Sequence, residues 1–346
     1  MVKYIIKRIL LALVTAFIIL SLTFILIKLL PPAKTIGQDS VIFSFYEREV
    51  RLGYVATYST EQANLGELLW KYSSDGGKTT TYYYSVPVMQ QYFNWMRNIL
   101  TKWDWGYSQK IRQNVSATVL IAEGLSTSIK INIISVIISV PIGIALGILA
   151  ALKKNTATDH IISTLVMIFI SVPSFILITL LMLWFCYQNK VLPSQFPLPT
   201  DPPSKQALGY ILPVVCLSFG SICGYCRFTR AELCEVMSSE YLLLARTKGL
   251  TKKQAILRHA LRNAMVPIFP SILAEFIGLL GGSMILEQLY GIPGIGKLFI
   301  TALNAKDYNV LFVDMAIFTT LGLLAGIILD LSYGFIDPRI RMGAKK

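Results

Sequence analysis

Histidine is scarce in this chain: only His160 and His259 occur in 346 residues, and neither stands in a metal-ligand spacing. No catalytic set assembles around them, so a single-subunit enzyme finds no support. Cysteine is absent between Pro31 and Glu123, which excludes a disulfide framework there. Cys186, Cys216, Cys223, Cys226 and Cys234 all fall in or beside apolar runs. Cys223-x-x-Cys226 has redox or metal spacing, but inside an apolar helix and without a second pair it reads as two small buried thiols. A phosphate-cradling loop is missing too. Gly291-Ile-Pro-Gly-Ile-Gly296-Lys297 fits GxxxxGK, yet Leu298 stands where Ser or Thr must reach Mg²⁺, and Pro293 removes an N–H the cradle needs. Gly77-Lys78-Thr79 lacks the upstream glycine. The chain therefore has no ATP site of this type, and a nucleotide-driven motor would have to be another polypeptide.

What the chain has in abundance is apolar sequence. It is 54% hydrophobic, a level outside the normal range of soluble domains of this length. Runs long enough to cross about 30 Å of hydrocarbon occur near Ile9 to Leu30, Ser126 to Leu152, Ile161 to Tyr187, Leu208 to Phe228, Ala264 to Tyr290 and Val310 to Phe335. The first is too long for a cleaved signal and has no small-residue cleavage site, so it is expected to remain as a helix, with Lys28 snorkelling at its outer end. The net charge of +13 carries no nucleic-acid motif. Its placement is more informative. With the N-terminus inside, Lys3, Lys7, Arg8, Lys153, Lys154, the eight Lys and Arg from Arg227 to Arg262, Arg339, Arg341, Lys345 and Lys346 share one side, while the short outward loops carry Lys190, Lys205, Lys297 and Lys306. Both termini are then expected to be cytoplasmic.

Between two of these spans lies a basic helix-turn-helix. Ser239 is a candidate N-cap, Glu240 favours the first turn, and Tyr241, Leu244 and Ala245 share a helical face. Lys248 places a cation at the helix end and Gly249 supplies a left-handed terminator before Leu250. Thr251 and Gln254 form a capping box that opens a second helix, apolar along Ile256, Leu257, Ala260, Leu261 and Ala264, and basic at Arg258 and Arg262. His259 reads as a surface member of that helix. The plainer alternative is a loop whose charge only sets topology.

The order of residues here resembles the EAA loop of ABC importer permeases in its dipeptide and oligopeptide form: Tyr241, then Ala245-Arg-Thr-Lys-Gly249-Leu, then Arg258-His-Ala-Leu-Arg-Asn263-Ala. Leu243, Leu244 and Arg262 depart from the generic loop in the manner of the peptide-type variant. The resemblance extends to Ser171-Val-Pro173-Ser-Phe175, to Glu287-Gln-Leu-Tyr-Gly291 with Gly294, Gly296 and Leu298, and to Lys306-Asp307-Tyr308. It also takes in Asp330-Leu-Ser-Tyr333 with Asp337-Pro338-Arg339-Ile-Arg341, and more weakly Trp105-Gly106-Tyr-Ser108.

This resemblance implies an all-α integral membrane protein with six transmembrane helices, of type I ABC importer permease fold. The expected domains are an N-terminal helix over 1–30, an extracytoplasmic insertion over 31–125, a five-helix transmembrane domain over 126–336 with a coupling loop at 229–263, and a cytoplasmic tail over 337–346. It implies an ATP-driven peptide importer in a bacterial or archaeal cell membrane, first of two related permease subunits. Two cytoplasmic ATPase subunits, carrying ATP and Mg²⁺, would dock on the loop at Glu240, Tyr241, Ala245, Arg246, Lys248, Gly249, Leu250 and Arg258. An extracytoplasmic binding protein would deliver the peptide, and no cofactor would belong to this chain.

The insertion, with Tyr82-Tyr-Tyr84, Trp95, Trp103 and Trp105, is expected to fold as helices and loops with an interfacial helix near 87–100. It reads either as a landing surface for the delivery protein or as a lid. Ionisable residues within or beside spans are expensive there. Glu275, Glu287 and Asp314 are translocation-path candidates, Glu275 having a helix-to-helix hydrogen bond as its alternative, and Asp330 lies near the inner end of the last span. GxxxG pairs at Gly143/Gly147, Gly220/Gly224, Gly278/Gly282 and Gly322/Gly326 predict close helix packing, and Pro141, Pro173, Pro213 and Pro270 predict kinks. Other readings are a nickel permease of the same family, a secondary transporter or channel, and a membrane-anchored receptor or assembly factor.

Overall fold

The computed structural model describes residues 2–30, 39–61, 66–74, 79–279 and 281–336. Gly77-Lys78, the stretch from Asp337 to Arg341 and the expected tail 337–346 lie outside them. The chain forms two compact units, one of residues 13–122 and 299–319, the other of 1–12, 123–298 and 320–346.

The smaller unit draws on α1 (Val2–Leu29), α2 (Asp39–Leu52), β1 (Val55–Tyr58), β2 (Leu68–Ser74), β3 (Thr79–Ser85) and α3 (Val88–Lys102). Its three strands form an antiparallel sheet of order β1-β3-β2, with Val55 opposite Ser85 and Tyr72 opposite Thr81. The sequence expectation of helices and loops missed this sheet, although a Thr-Thr-Thr-Tyr-Tyr-Tyr run suits a pleated, half-buried surface. α3 matches the expected interfacial helix in position. It buries Gln91, Trp95, Asn98 and Ile99 and exposes Met89, Phe93 and Leu100. The unit's core is aromatic: Phe24 stacks on Trp95 at 4.9 Å, and Phe312 meets Trp95 edge-on at 5.0 Å.

The larger unit is helical. It contains most of α4 (Ala117–Leu152), then α5 (Ala157–Ile170) and α6 (Ser174–Met182), which continues as a π-helical turn over Leu183–Gln188. After these come α7 (Pro203–Met237), α8 (Glu240–Thr247) and α9 (Lys252–Ala255), which runs through a π-helical turn over Ile256–Ala260 into α10 (Leu261–Leu279). Next are α11 (Met284–Tyr290), the start of α12 (Ile295–Ala305) and the end of α13 (Tyr308–Ile336). Among the described residues, five helices are long and apolar enough to cross a membrane, and the bent α5–α6 pair brings the number to six.

Two expected spans are redrawn. The run from Ile161 to Tyr187 is not one rod: α5 and α6 meet at 92° across Ser171, Val172 and Pro173. Pro173 lacks the N–H that a continuous helix needs, and its ring disfavours helical backbone at Val172. The run from Ala264 to Tyr290 is also divided. Its helix is continuous from Lys252 to Gly278, and the chain then turns through Gly282 at φ +72° before starting α11. Glu287 therefore sits on a separate short helix.

Of the four glycine pairs, Gly143/Gly147 makes a backbone-close contact. A Cβ on Gly143 would lie 2.7 Å from Tyr225 Cβ, and one on Gly147 would lie 2.7 Å from the Cys226 carbonyl oxygen, so α4 and α7 touch there through bare backbone. A Cβ on Gly220, Gly224, Gly278, Gly322 or Gly326 would meet nothing within 4 Å.

Candidate functional site

The basic helix-turn-helix folds as a short elbow whose inner side is fastened to the bundle. Leu242 from α8, Ala255 from α9, and Ile256, Ala260 and Ala264 beyond it are buried against Ala151 of α4 and Leu233 of α7, with Leu250 packed at the edge. Thr251 Oγ1 accepts from the Gln254 amide at 3.3 Å, and the Gln254 side chain accepts from the Thr251 amide at 3.1 Å, completing the expected capping box. Gly249 takes φ +93°, and a Cβ there would meet nothing within 4 Å. Its glycine is needed for backbone hand and not for space in this chain. Ser239 has the extended backbone of an N-cap, but its hydroxyl donates back to the Val236 carbonyl at 2.5 Å and caps nothing.

The outer side of the elbow is apolar and cationic together. Glu240, Tyr241, Arg246, Lys248, Gly249 and Arg258 are exposed, while Ala245 and Leu250 are half-buried. Beside them Leu243 is 62%, Leu244 57% and Leu257 56% exposed. Isolated exposed leucines are ordinary. Three on one short elbow that also exposes Arg246, Lys248 and Arg258 are a surface suited to burial by a partner. Sequence periodicity placed Leu257 on the apolar side with Ile256, but the π-helical turn shifts the helical phase there and leaves Leu257 outside.

Between α5 and α7 lies an ion pair that sequence reasoning did not find. Arg230 of α7 donates to Asp159 of α5 through Nε at 2.6 Å and Nη2 at 2.8 Å. The Asn155 amide adds a bond to Asp159 Oδ2 at 2.9 Å, and the Ser163 hydroxyl one to Oδ1 at 3.2 Å. The carboxylate is 1% exposed. Forked Arg–carboxylate pairing of this kind fixes angle as well as distance, so α5 and α7 are held rigidly next to the segment that carries the elbow.

The three path candidates occupy different surroundings. Glu275 of α10 is half-buried and accepts a hydrogen bond from the Ser221 hydroxyl of α7, the helix-to-helix contact weighed as its alternative. Asp314 is fully buried in the smaller unit beside the core residue Phe312. Glu287 is 3% exposed and held by its own fold. It accepts from the Ser128 hydroxyl at 2.7 Å, the Lys297 amide at 2.9 Å and the Ser283 amide at 3.3 Å, while the Ile295 amide donates to Ser128 Oγ at 3.0 Å. Gly294 packs against the carboxylate with no room for a Cβ. The loop that imitates a phosphate cradle thus encloses an anion after all, the chain's own. Burial pushes the Glu287 carboxyl up from its usual range, and the donors from Ser128 and the amides of Lys297, Ser283 and Gly296 pull it back. Glu287 acts here as a clasp that ties α11 to α4 and to the loop after it. Asp330 pairs with Arg8 at 3.1 Å.

Helices long and apolar enough to cross a membrane, with an elbow seated by its buried apolar side chains, are the architecture of a membrane-embedded subunit. Residues 143–342 match the family model for the binding-protein-dependent transport system inner membrane component. The oligopeptide transport system permease protein OppB of Haemophilus influenzae is 31% identical over 341 residues, covering 99% of this chain and all of that protein. The dipeptide transport system permease protein DppB of Bacillus subtilis is 30% identical over 345 residues, with all of both chains covered. A solved amino acid ABC transporter, crystallised with histidines, aligns with 62% of this chain and 94% of its own at 20% identity and a TM-score of 0.47. The chain belongs to the family of binding-protein-dependent transport system inner membrane components. It is a multi-pass permease subunit of an ABC importer and not an enzyme.

Proposed function

We propose that this chain forms the translocation pathway for peptides by alternating access, and that the elbow from Glu240 to Arg258 is where an ATPase subunit grips it. The observation that carries the reading is the two-sidedness of that elbow: Leu242, Ala255 and Ile256 are sunk into the bundle while Leu243, Leu244 and Leu257 face out among Arg246, Lys248 and Arg258. Moving a two-state gate from 1:99 to 99:1 takes about 5.5 kcal/mol of differential binding. An elbow seated by buried apolar side chains can transmit such a load to α7 and α10, which a flexible linker could not. The full-length likeness to oligopeptide and dipeptide permeases supports peptide as cargo over nickel.

In this reading the partners are a second related permease subunit, two ATPase subunits holding ATP and Mg²⁺, and an extracytoplasmic binding protein. The excess of Lys and Arg on the elbow side supports cytoplasmic termini and a prokaryotic plasma-membrane location, with the segment 31–125 on the outer face. Glu275, Glu287 and Asp314 are the path candidates, and the half-burial of Glu275 beside Ser221 of α7 supports it as the one that meets a peptide amine. The test is reconstitution: the purified complex should take up labelled peptide into liposomes only with ATP and binding protein present. Uptake by this chain alone under an ion gradient would overturn the reading.

A further inference from the structure

The smaller unit contains a cavity of about 390 Å³ to which peptide passage assigns no task. Its lining includes the aromatic side chains of Phe24, Tyr54, Trp95, Trp105 and Phe312, and its volume falls in the range of small-molecule sites, roughly 300–1,000 Å³. Three charged residues share this lining, Lys28, Glu49 and Glu67. Lys28 Nζ lies 4.2 Å from the centre of the Tyr54 ring and 5.7 Å from that of Phe24. Among the described residues, no carboxylate lies within ion-pair distance of it. Glu49 is 8% exposed and accepts a long hydrogen bond from Gln109 Nε2 at 3.3 Å. Burial pushes its carboxyl up, against the pull of the Lys28 charge.

The indole nitrogens of Trp95 and Trp105 complete the set. Both are buried donors with no acceptor among the described residues, and Trp95 itself is 5% exposed. Buried donors are ordinarily satisfied, so two such donors in the lining of a cavity that also holds a cation suit a ligand that brings an acceptor of negative charge. A buried carboxylate among aromatic rings calls for the complement, since ring faces and a carboxylate both attract an ammonium.

We propose that this cavity binds a small zwitterion in which one short scaffold joins an oxyanion to an ammonium. The oxyanion is received by Lys28 and the indole N–H groups of Trp95 and Trp105, and the ammonium by Glu49. Two sources carry this chemistry, the headgroup of phosphatidylethanolamine and a short free peptide. The apolar face that α3 exposes through Met89, Phe93 and Leu100, opposite the side that buries Trp95, makes a bilayer source available. The lipid source does not depend on peptide being the cargo.

The experiment uses the full complex in nanodiscs of phosphatidylglycerol alone or doped with phosphatidylethanolamine. Retained phosphatidylethanolamine is measured by mass spectrometry, and binding of trialanine by calorimetry in the undoped discs. Saturable binding of one of the two is expected, weakened at least tenfold by Lys28→Met and by Glu49→Gln, with a shift in indole emission on binding. Should either variant fail to assemble, the wild-type emission titration and the exchange variant Lys28→Glu/Glu49→Lys, which keeps both charges, decide the matter. Failure of both ligands to bind the wild type, or binding indifferent to these substitutions, overturns the proposal. ATP-driven uptake, measured on the same preparations, reports separately on the transport reading.

Discussion

The Ser108 hydroxyl donates to Asp307 Oδ2 at 2.6 Å across 199 residues of sequence. The amides of Gln109, Lys110 and Ile111 converge on the same oxygen at 3.0, 2.9 and 3.2 Å. Trp105-Gly-Tyr-Ser108 and Lys306-Asp307-Tyr308, two motifs far apart in the chain, are thus the halves of a single joint in the smaller unit. Asp307 is fully buried. Hydrogen bonds to a charged group contribute about 1.5–3 kcal/mol each. Asp307→Ala, which strips an acceptor from four donors, is expected to destabilise the smaller unit by about 3 kcal/mol or more. Faster limited proteolysis within 39–115 would register it; wild-type resistance would refute the joint.

Gly249→Ala and Gly249→Leu separate two contributions at the elbow. Both carry the left-handed backbone penalty of roughly 1–2 kcal/mol, and neither side chain meets anything in this chain. If a partner groove closes over the position, leucine should depress coupling of ATP hydrolysis to uptake far more than alanine, with normal membrane insertion in both. Equal coupling in the two variants would remove Gly249 from the contact surface.

Asp159→Ala leaves the Arg230 guanidinium without its fork. Losing one partner of a buried pair typically costs about 3–5 kcal/mol, and Arg230 is 31% exposed, so the lower end applies. Reduced accumulation and a lower thermal midpoint of the purified complex are expected. Arg230→Lys should recover only part of either, because a point charge cannot reproduce the bidentate geometry.

The glycine pairs make a contrast within one helix contact. Gly147→Ala forces a methyl toward the Cys226 carbonyl and should destabilise by about 1–3 kcal/mol, whereas Gly224→Ala has open space and should be nearly neutral to the stability of this chain. Thermal unfolding in detergent distinguishes them, and equal midpoints would contradict the α4–α7 contact.

Glu275→Gln keeps shape and the Ser221 hydrogen bond while removing charge. If the carboxylate greets peptide amines, uptake of peptides with free amino termini should fall relative to N-acetylated ones. An unchanged ratio would leave Glu275 as a helix-to-helix contact only.

What the sequence disclosed was local. The elbow could be read because its signals sit within a few residues of their effects: Gly249 for a reversal of backbone hand, Thr251 with Gln254 for a cap. The membrane runs could be read because hydrocarbon thickness imposes a length on them. Pairings over long separations could not: Asp159 with Arg230, Ser108 with Asp307, and Ser128 with Glu287 leave no periodic trace. Nor does a proline announce its own outcome. Pro141, Pro213, Pro267 and Pro270 stay inside helices while Pro173 breaks one.

The π-helical turn at Ile256–Ala260 sets a phase. Each residue of an α-helix advances the azimuth by about 100°, so one surplus residue in this turn rotates everything preceding it by nearly that amount relative to α10. The compass bearing of the elbow's exposed leucines is therefore fixed less by their own helices than by a single excess residue behind them. Lengthening or shortening the chain there by one position would swing the leucines away from any fixed mate without altering a single side chain on the surface.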